Sequence, residues 1–178
     1  MGKIMIMGMG DVLKGDYGAG CAVLEKMAET VSGPDIDFAW VGTQTLGAAG
    51  YLMDADLAVI TGALDLSGVP GTLHVWDEAV FDQHAPWMAG QFPDIRGLVL
   101  SLTQTRMADA FPSRLVFIWM DPHCTRGYGL SELMNGAVIR AVWQIHREIW
   151  QARLAGPPLP SGKTDLPDHA PLQLKTGP

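Results

Sequence analysis

A glycine-framed acidic loop near the start of the chain is where chemistry could occur. Gly8, Gly10 and Asp11 close an apolar run, and Gly15, Asp16, Tyr17 and Gly18 follow a few residues later. A buried strand that ends in glycines and leads into a helix is the usual place for a site in an α/β protein. Phosphate binding is the first chemistry to test. A dinucleotide fingerprint needs a third glycine at position 13 and an acid after the second strand. Position 13 is Leu13, and residues 40–43 read Trp-Val-Gly-Thr. No Walker A pattern and no nucleophile elbow occur. Ser101 and Ser131 have no histidine and acid partners in a hydrolase arrangement. Cys21 and Cys124 form no Cys-x-x-Cys pair, and the five histidines make no paired metal motif.

The elements that must carry this loop read as alternating strands and helices. Residues 3–9 predict a buried strand. Asp16 can cap a helix whose apolar face would hold Cys21, Leu24, Ala28 and Val31, with Cys21 as a buried free thiol. Strands are expected at 36–41, 56–62, 72–76 and 115–120, and short helices at 46–53 and 103–111. Residues 77–101 read as a loop with a short helix. A long helix starts at Ser131, with Met134, Val138, Ala141, Ile145 and Ile149 on one face. The order predicts a three-layer α/β/α sandwich with about five mostly parallel strands. Its site should lie at the strand carboxyl ends, at 8–16, 42–46, 61–65 and 121–129. Residues 1–154 form one domain, while 155–178 hold six of the twelve prolines and predict a disordered tail.

Bulk composition narrows the partners. The chain has 178 residues, 48% of them hydrophobic and 17% charged, with a net charge of −7. The negative charge argues against nucleic acid and anionic membrane as partners. No apolar stretch approaches the roughly 20 residues of a membrane helix, and the start is not built like a signal peptide. The cytoplasm is the expected compartment.

Taken in order, these segments resemble the [NiFe]-hydrogenase maturation proteases. The opening 7–11 and 15–20 are similar to that family's first signature. Residues 42–47 resemble its Gly-Gly-Thr-x-Gly segment, and 56–60 its third strand. Pro70-Gly71-Thr72 matches a Pro-Gly-Thr. Residues 101–109 resemble a Ser-x-His…Asp segment, and Pro122 with 128–131 a Pro-Glu…Gly-Leu-Ser segment. The likeness runs from about residue 3 to 150. It implies the α/β/α fold and a role in trimming a C-terminal peptide from a hydrogenase large subunit after nickel insertion. It also implies three ligands that recognise nickel in the precursor: an acid in the first loop, an aspartate after the third strand and a histidine before the fourth helix.

Carried over by position, those ligands fall on Tyr17, Gly62 and Thr103. A divalent nickel ion takes imidazole and carboxylate donors. A phenol with an ordinary pKa near ~10 is neutral and a poor ligand. The resemblance therefore implies no metal at these positions and no resident cofactor; nickel would come only with the partner or at a displaced site. Asp16, Asp65 and His123 are the displaced candidates, each with a structural reading as cap, turn or loop residue. Asp11 can hold its turn by accepting amide bonds. Gly8, Gly10, Asp11, Trp87 and Phe92 are the expected contacts to a partner, Trp87 and Phe92 being equally suited to a lid or a satellite core. Two functions follow: a non-cutting assembly factor or accessory subunit that grips the large subunit or its precursor, or an endopeptidase using the displaced site. An unrelated α/β enzyme sharing only the layout is the third reading.

Overall fold

The computed structural model describes residues 2–155. The proline-rich stretch from 156 onward lies outside them, and so does the expectation made for it. Five strands form one sheet: β1 (Ile4–Met9), β2 (Ile36–Gly42), β3 (Leu57–Ala63), β4 (Leu73–Asp77) and β5 (Leu115–Met120). Their spatial order is β2-β1-β3-β5-β4; only β4 runs antiparallel, against β5. The helices are α1 (Ala19–Thr30), α2 (Ala49–Leu52), α3 (Glu78–Gln91), α4 (Pro93–Met107) and α5 (Glu132–Ala155). Helices α1 and α5 cover one face, and α2, α3 and α4 the other. This is the three-layer α/β/α sandwich that the sequence predicts.

The central strands explain the layers. β1, β3 and β5 are buried at every residue. A strand covered on both faces needs an apolar side chain in both phases, and runs such as Leu115–Met120 supply it. The chain leaves β1 toward β2 on one side, then returns to β3 on the other. The switch point between β1 and β3 opens a crevice beyond their carboxyl ends.

Residues 77–101 depart from the expected loop. They form α3 and most of α4. Asp77 caps α3 by accepting the Val80 amide at 2.9 Å, and Phe81, Ala85 and Met88 face the core. Pro93 opens α4, whose Ile95, Leu98 and Leu102 continue that layer. Pro86 and Gly90 inside α3 weaken its helical signature, yet tertiary packing of one face stabilises it. The expected helix at 103–111 is only the end of α4.

The face of α1 also differs from expectation. Ala19, Gly20, Val23, Leu24 and Met27 are buried. Cys21 is half-buried beside Glu25, and Ala28 is exposed. Backbone contact sets this face. A Cβ on Gly20 would lie 2.3 Å from the Met9 carbonyl oxygen and 2.9 Å from that of Thr61; one on Gly8 would lie 2.6 Å from the Gly20 carbonyl. The helix rests directly on β1 and β3. Gly20→Ala should cost about 2–3 kcal/mol by forcing the layers apart. Gly90→Ala, where a Cβ meets nothing within 4 Å, should gain about 0.5–1 kcal/mol through a stiffer unfolded chain. Urea unfolding of the two variants checks both signs.

Candidate functional site

The first loop folds on itself. Gly10 adopts φ 127°, and a Cβ there would lie 2.0 Å from the Tyr17 carbonyl oxygen. The Asp11 amide donates to that carbonyl at 3.0 Å. The Asp11 carboxylate accepts the Leu13 amide at 3.0 Å, as the sequence predicts, and pairs with Lys14 at 3.3 Å. Gly8 is buried against α1.

Asp16 is fully buried. Its carboxylate accepts the amides of His123 (2.8 Å), Cys124 (2.8 Å) and Ser131 (2.7 Å), and the Ser131 hydroxyl (2.9 Å). Ser131 Oγ in turn accepts the Met134 amide at 3.2 Å and caps α5. Burial alone would raise the Asp16 pKa, but the four donors outweigh it and hold it below the ordinary value. Asp16 therefore does not cap the helix that follows it. It ties the loop after β5 to the loop after β1.

A second buried acid, Asp121, does the same for the loop after β3. It accepts the Leu66 amide at 2.9 Å and the Gly68 amide at 3.2 Å, and its other oxygen meets His74 Nε2 at 2.6 Å. Sequence reading placed Asp121 at a strand end without giving it a role. Its type at the end of the last buried strand was the available signal.

A crevice of about 480 Å³ lies between the first loop, the end of β3 and the start of α4. The first loop from Met9 to Tyr17, Ala63 and Leu64 at the end of β3, and Phe92 to Ile95 at the start of α4 form its walls. Burial raises the Tyr17 pKa, Asp65 adds to the rise and Lys14 opposes it, so Tyr17 stays a neutral phenol. Burial likewise raises the Asp94 pKa, with Asp11 adding to it against Lys14.

The three ligand positions implied by resemblance meet different fates. Tyr17 faces the crevice. Gly62 leaves no room: a Cβ there would lie 2.8 Å from the Met9 carbonyl oxygen and 3.1 Å from Met9 Cγ. Thr103 is a correction. It sits exposed in the third turn of α4, its hydroxyl donating to the Val99 carbonyl at 2.8 Å. The fourth helix begins at Pro93, so the residue at its start and in the crevice is Asp94. A proline followed by an acid marks a helix N-terminus. Phe92-Pro93-Asp94 was thus the signal missed.

The displaced set does not assemble. Asp16 is consumed by four donors. Asp65 accepts the Ser67 amide at 3.0 Å in a turn, and His123 is exposed, bound through its backbone. Among the described residues no group of three His, Cys, Asp or Glu side chains is placed to hold a metal ion. Trp87 is 51% exposed and meets Phe92 edge-on at 6.2 Å. Phe92 continues that contact into the crevice wall. No helix among the described residues is long and apolar enough to cross a membrane.

Known proteins share this architecture. The hydrogenase maturating endopeptidase HybD of Escherichia coli superposes with a TM-score of 0.76 at 20% identity, over 86% of this chain and 94% of that one. The [NiFe] hydrogenase maturation protease HybD of Thermococcus kodakarensis gives 0.63 at 23% identity, over 83% and 98%. In sequence, the chain is 28% identical to the hydrogenase expression/formation protein HupD of Rhodobacter capsulatus, over 83% of this chain and 71% of that protein. It is 28% identical to HoxM of Azotobacter vinelandii, named in the same words, over 72% and 62%. No family model matches. The resemblance read from the segments thus holds in both fold and sequence.

Asp16→Asn tests the central tie. The amide turns one acceptor into a donor facing N–H groups and should cost about 3 kcal/mol. A lowered folded pKa means that Asp16 stabilises fully above the ordinary 3.8 and loses this as pH falls through the folded value. The gap in urea midpoint between parent and variant should hold steady down to about pH 5 and shrink below about pH 4.

Proposed function

We propose that this hydrogenase maturation protease-like chain grips a [NiFe]-hydrogenase large subunit, or its precursor, without cutting it, as an assembly factor or accessory subunit. The observation that carries the reading is the filled space at Gly62. The resemblance implies an aspartate there, and Met9 occupies the volume a side chain would need. Tyr17 adds a second loss, since a neutral phenol replaces an acid. Asp94 leaves one carboxylate, half-buried at a helix start. One carboxylate and a phenol do not match two carboxylates and an imidazole in charge or in donor strength. Nickel enters this reading only as part of the partner, and the cytoplasm is the compartment in which we place the complex.

The grip has a physical basis. Phe92 and Trp87 form an aromatic step from the crevice to the surface, and partly exposed aromatics beside a cavity are frequent anchors in protein interfaces. The loops around the crevice are held by buried carboxylates, so the surface is formed before the partner arrives, which lowers the ordering cost of binding.

Mixing the purified protein with nickel-loaded precursor tests the reading. A complex that survives size-exclusion chromatography, with the precursor's C-terminal peptide intact by mass spectrometry, is the expected result. Stoichiometric release of that peptide would overturn it in favour of an endopeptidase. Trp87→Ala should weaken the complex by about tenfold or more in a titration, with unfolding stability nearly unchanged because the side chain is half exposed.

A further inference from the structure

β2 is an edge of the sheet, paired only with β1. The Ile4 amide bonds the Asp35 carbonyl at 2.7 Å, which turns Asp35 toward β1. Backbone groups alternate along a strand, so those of Asp37 and Ala39 also face β1, and those of Ile36, Phe38 and Trp40 face outward. The Ile36 amide is taken by the Gly33 carbonyl at 3.2 Å. The outward amides and carbonyls of Phe38 and Trp40 are left as a template for another strand.

The side chains around that template point to its occupant. Phe38 and Trp40 are 37% and 40% exposed and share one face of β2, with Asp37 exposed on the other. Natural edges are commonly blunted by charge, proline or a bulge; between Ile36 and Trp40 this one carries only the charge of Asp37, and its bulge lies just beyond, where Val41 is the extra residue of β2 between Trp40 and Gly42. Beyond Trp40 a groove of about 370 Å³ runs between residues 40–44 and the first loop. It shares Gly10, Asp11 and Thr43 with the crevice. A chain laid along β2 is therefore led into the crevice.

We propose that an extended segment of the partner polypeptide adds to the outer edge of β2 as a sixth strand. Its backbone bonds Phe38 and Trp40, its side chains lie against their rings, and a basic residue faces Asp37. Strand addition of this kind takes affinity from main-chain bonds and selectivity from alternate side chains. The proposal rests on the partner reading above and specifies how that partner is held. A second copy of this chain fits less well, because pairing two β2 edges would place two Asp37 carboxylates on one small ladder, where like charges repel.

Hydrogen exchange read by mass spectrometry or NMR tests this on the unaltered chain with nickel-loaded precursor. Exchange of the Phe38 and Trp40 amides should slow at least about tenfold on complex formation. Phe38→Pro removes an outward donor without touching the ladder to β1, a position where sheets tolerate proline. It should weaken binding by about tenfold, with circular dichroism reporting the fold; should the variant not fold, the exchange measurement decides alone. A complex that forms with unchanged exchange at both amides overturns the strand addition and leaves the partner reading standing. Absence of any complex overturns both. Protection of these amides in the isolated protein, with a dimer in sedimentation, would overturn the proposal by giving the edge to a second copy.

Discussion

The Asp16 carboxylate is buried and faces four donors that all belong to the segment 123–131. Three of the donors meet Oδ2 and one meets Oδ1, so both oxygens are engaged. Burying a charge is unfavourable unless it is paired or fully hydrogen-bonded. The loops after β1 and β5 are thus held together by an interaction that neither can replace with water. Asp121 repeats the arrangement for the loop after β3, with His74 as the additional partner. Two buried acids therefore tie together the loops after β1, β3 and β5, the first two of which reach the crevice.

The acids left at the crevice carry a different balance. Asp94 lies in the first turn of α4, where the helix dipole favours negative charge. Burial and Asp11 push the other way, and their effect prevails. Lys14 moderates both Asp94 and Tyr17, yet its own ion pair with Asp11 is at the surface and worth little by itself. The crevice is consequently a place of few fixed charges, walled by Leu64, Phe92 and Ile95 as well as by polar groups.

How far the sequence could be read depends on the kind of signal each segment carries. Residues 115–120 were placed to the residue, because a fully buried parallel strand needs an unbroken apolar run and has no other reading between polar flanks. The long helix was legible for the matching reason: 134, 138, 141, 145 and 149 repeat at helical spacing and all are buried. Helices α3 and α4 were not, since Pro86, Gly90 and Pro93 break the pattern while packing against the sheet restores the elements. The face of α1 was misread because backbone contact through Gly20, not side-chain size, sets it. At the site, the loop role of Asp11 followed from local chemistry. The roles of Asp16 and Asp121 did not, because their partners lie 47 to 115 residues away in sequence. Thr103 failed because a short motif was carried over before the start of its helix was known.

Positions 9 and 62 are coupled by space. Met9 ends β1, Gly62 lies one strand over in β3, and Met9 carbonyl and side-chain atoms stand where a Cβ at 62 would go. A side chain at 62 and the present course of Met9 exclude each other, so one could be placed there only if the end of β1 moved. That end is pinned: the Gly10 amide bonds the Gly42 carbonyl at 2.9 Å, and the Asp11 amide bonds Tyr17. It is also pressed from behind by Gly20, whose absent side chain lets α1 touch Met9. Gly62 is therefore part of a close-packed arrangement of β1, β3 and α1, in which Met9 fills the space beside it.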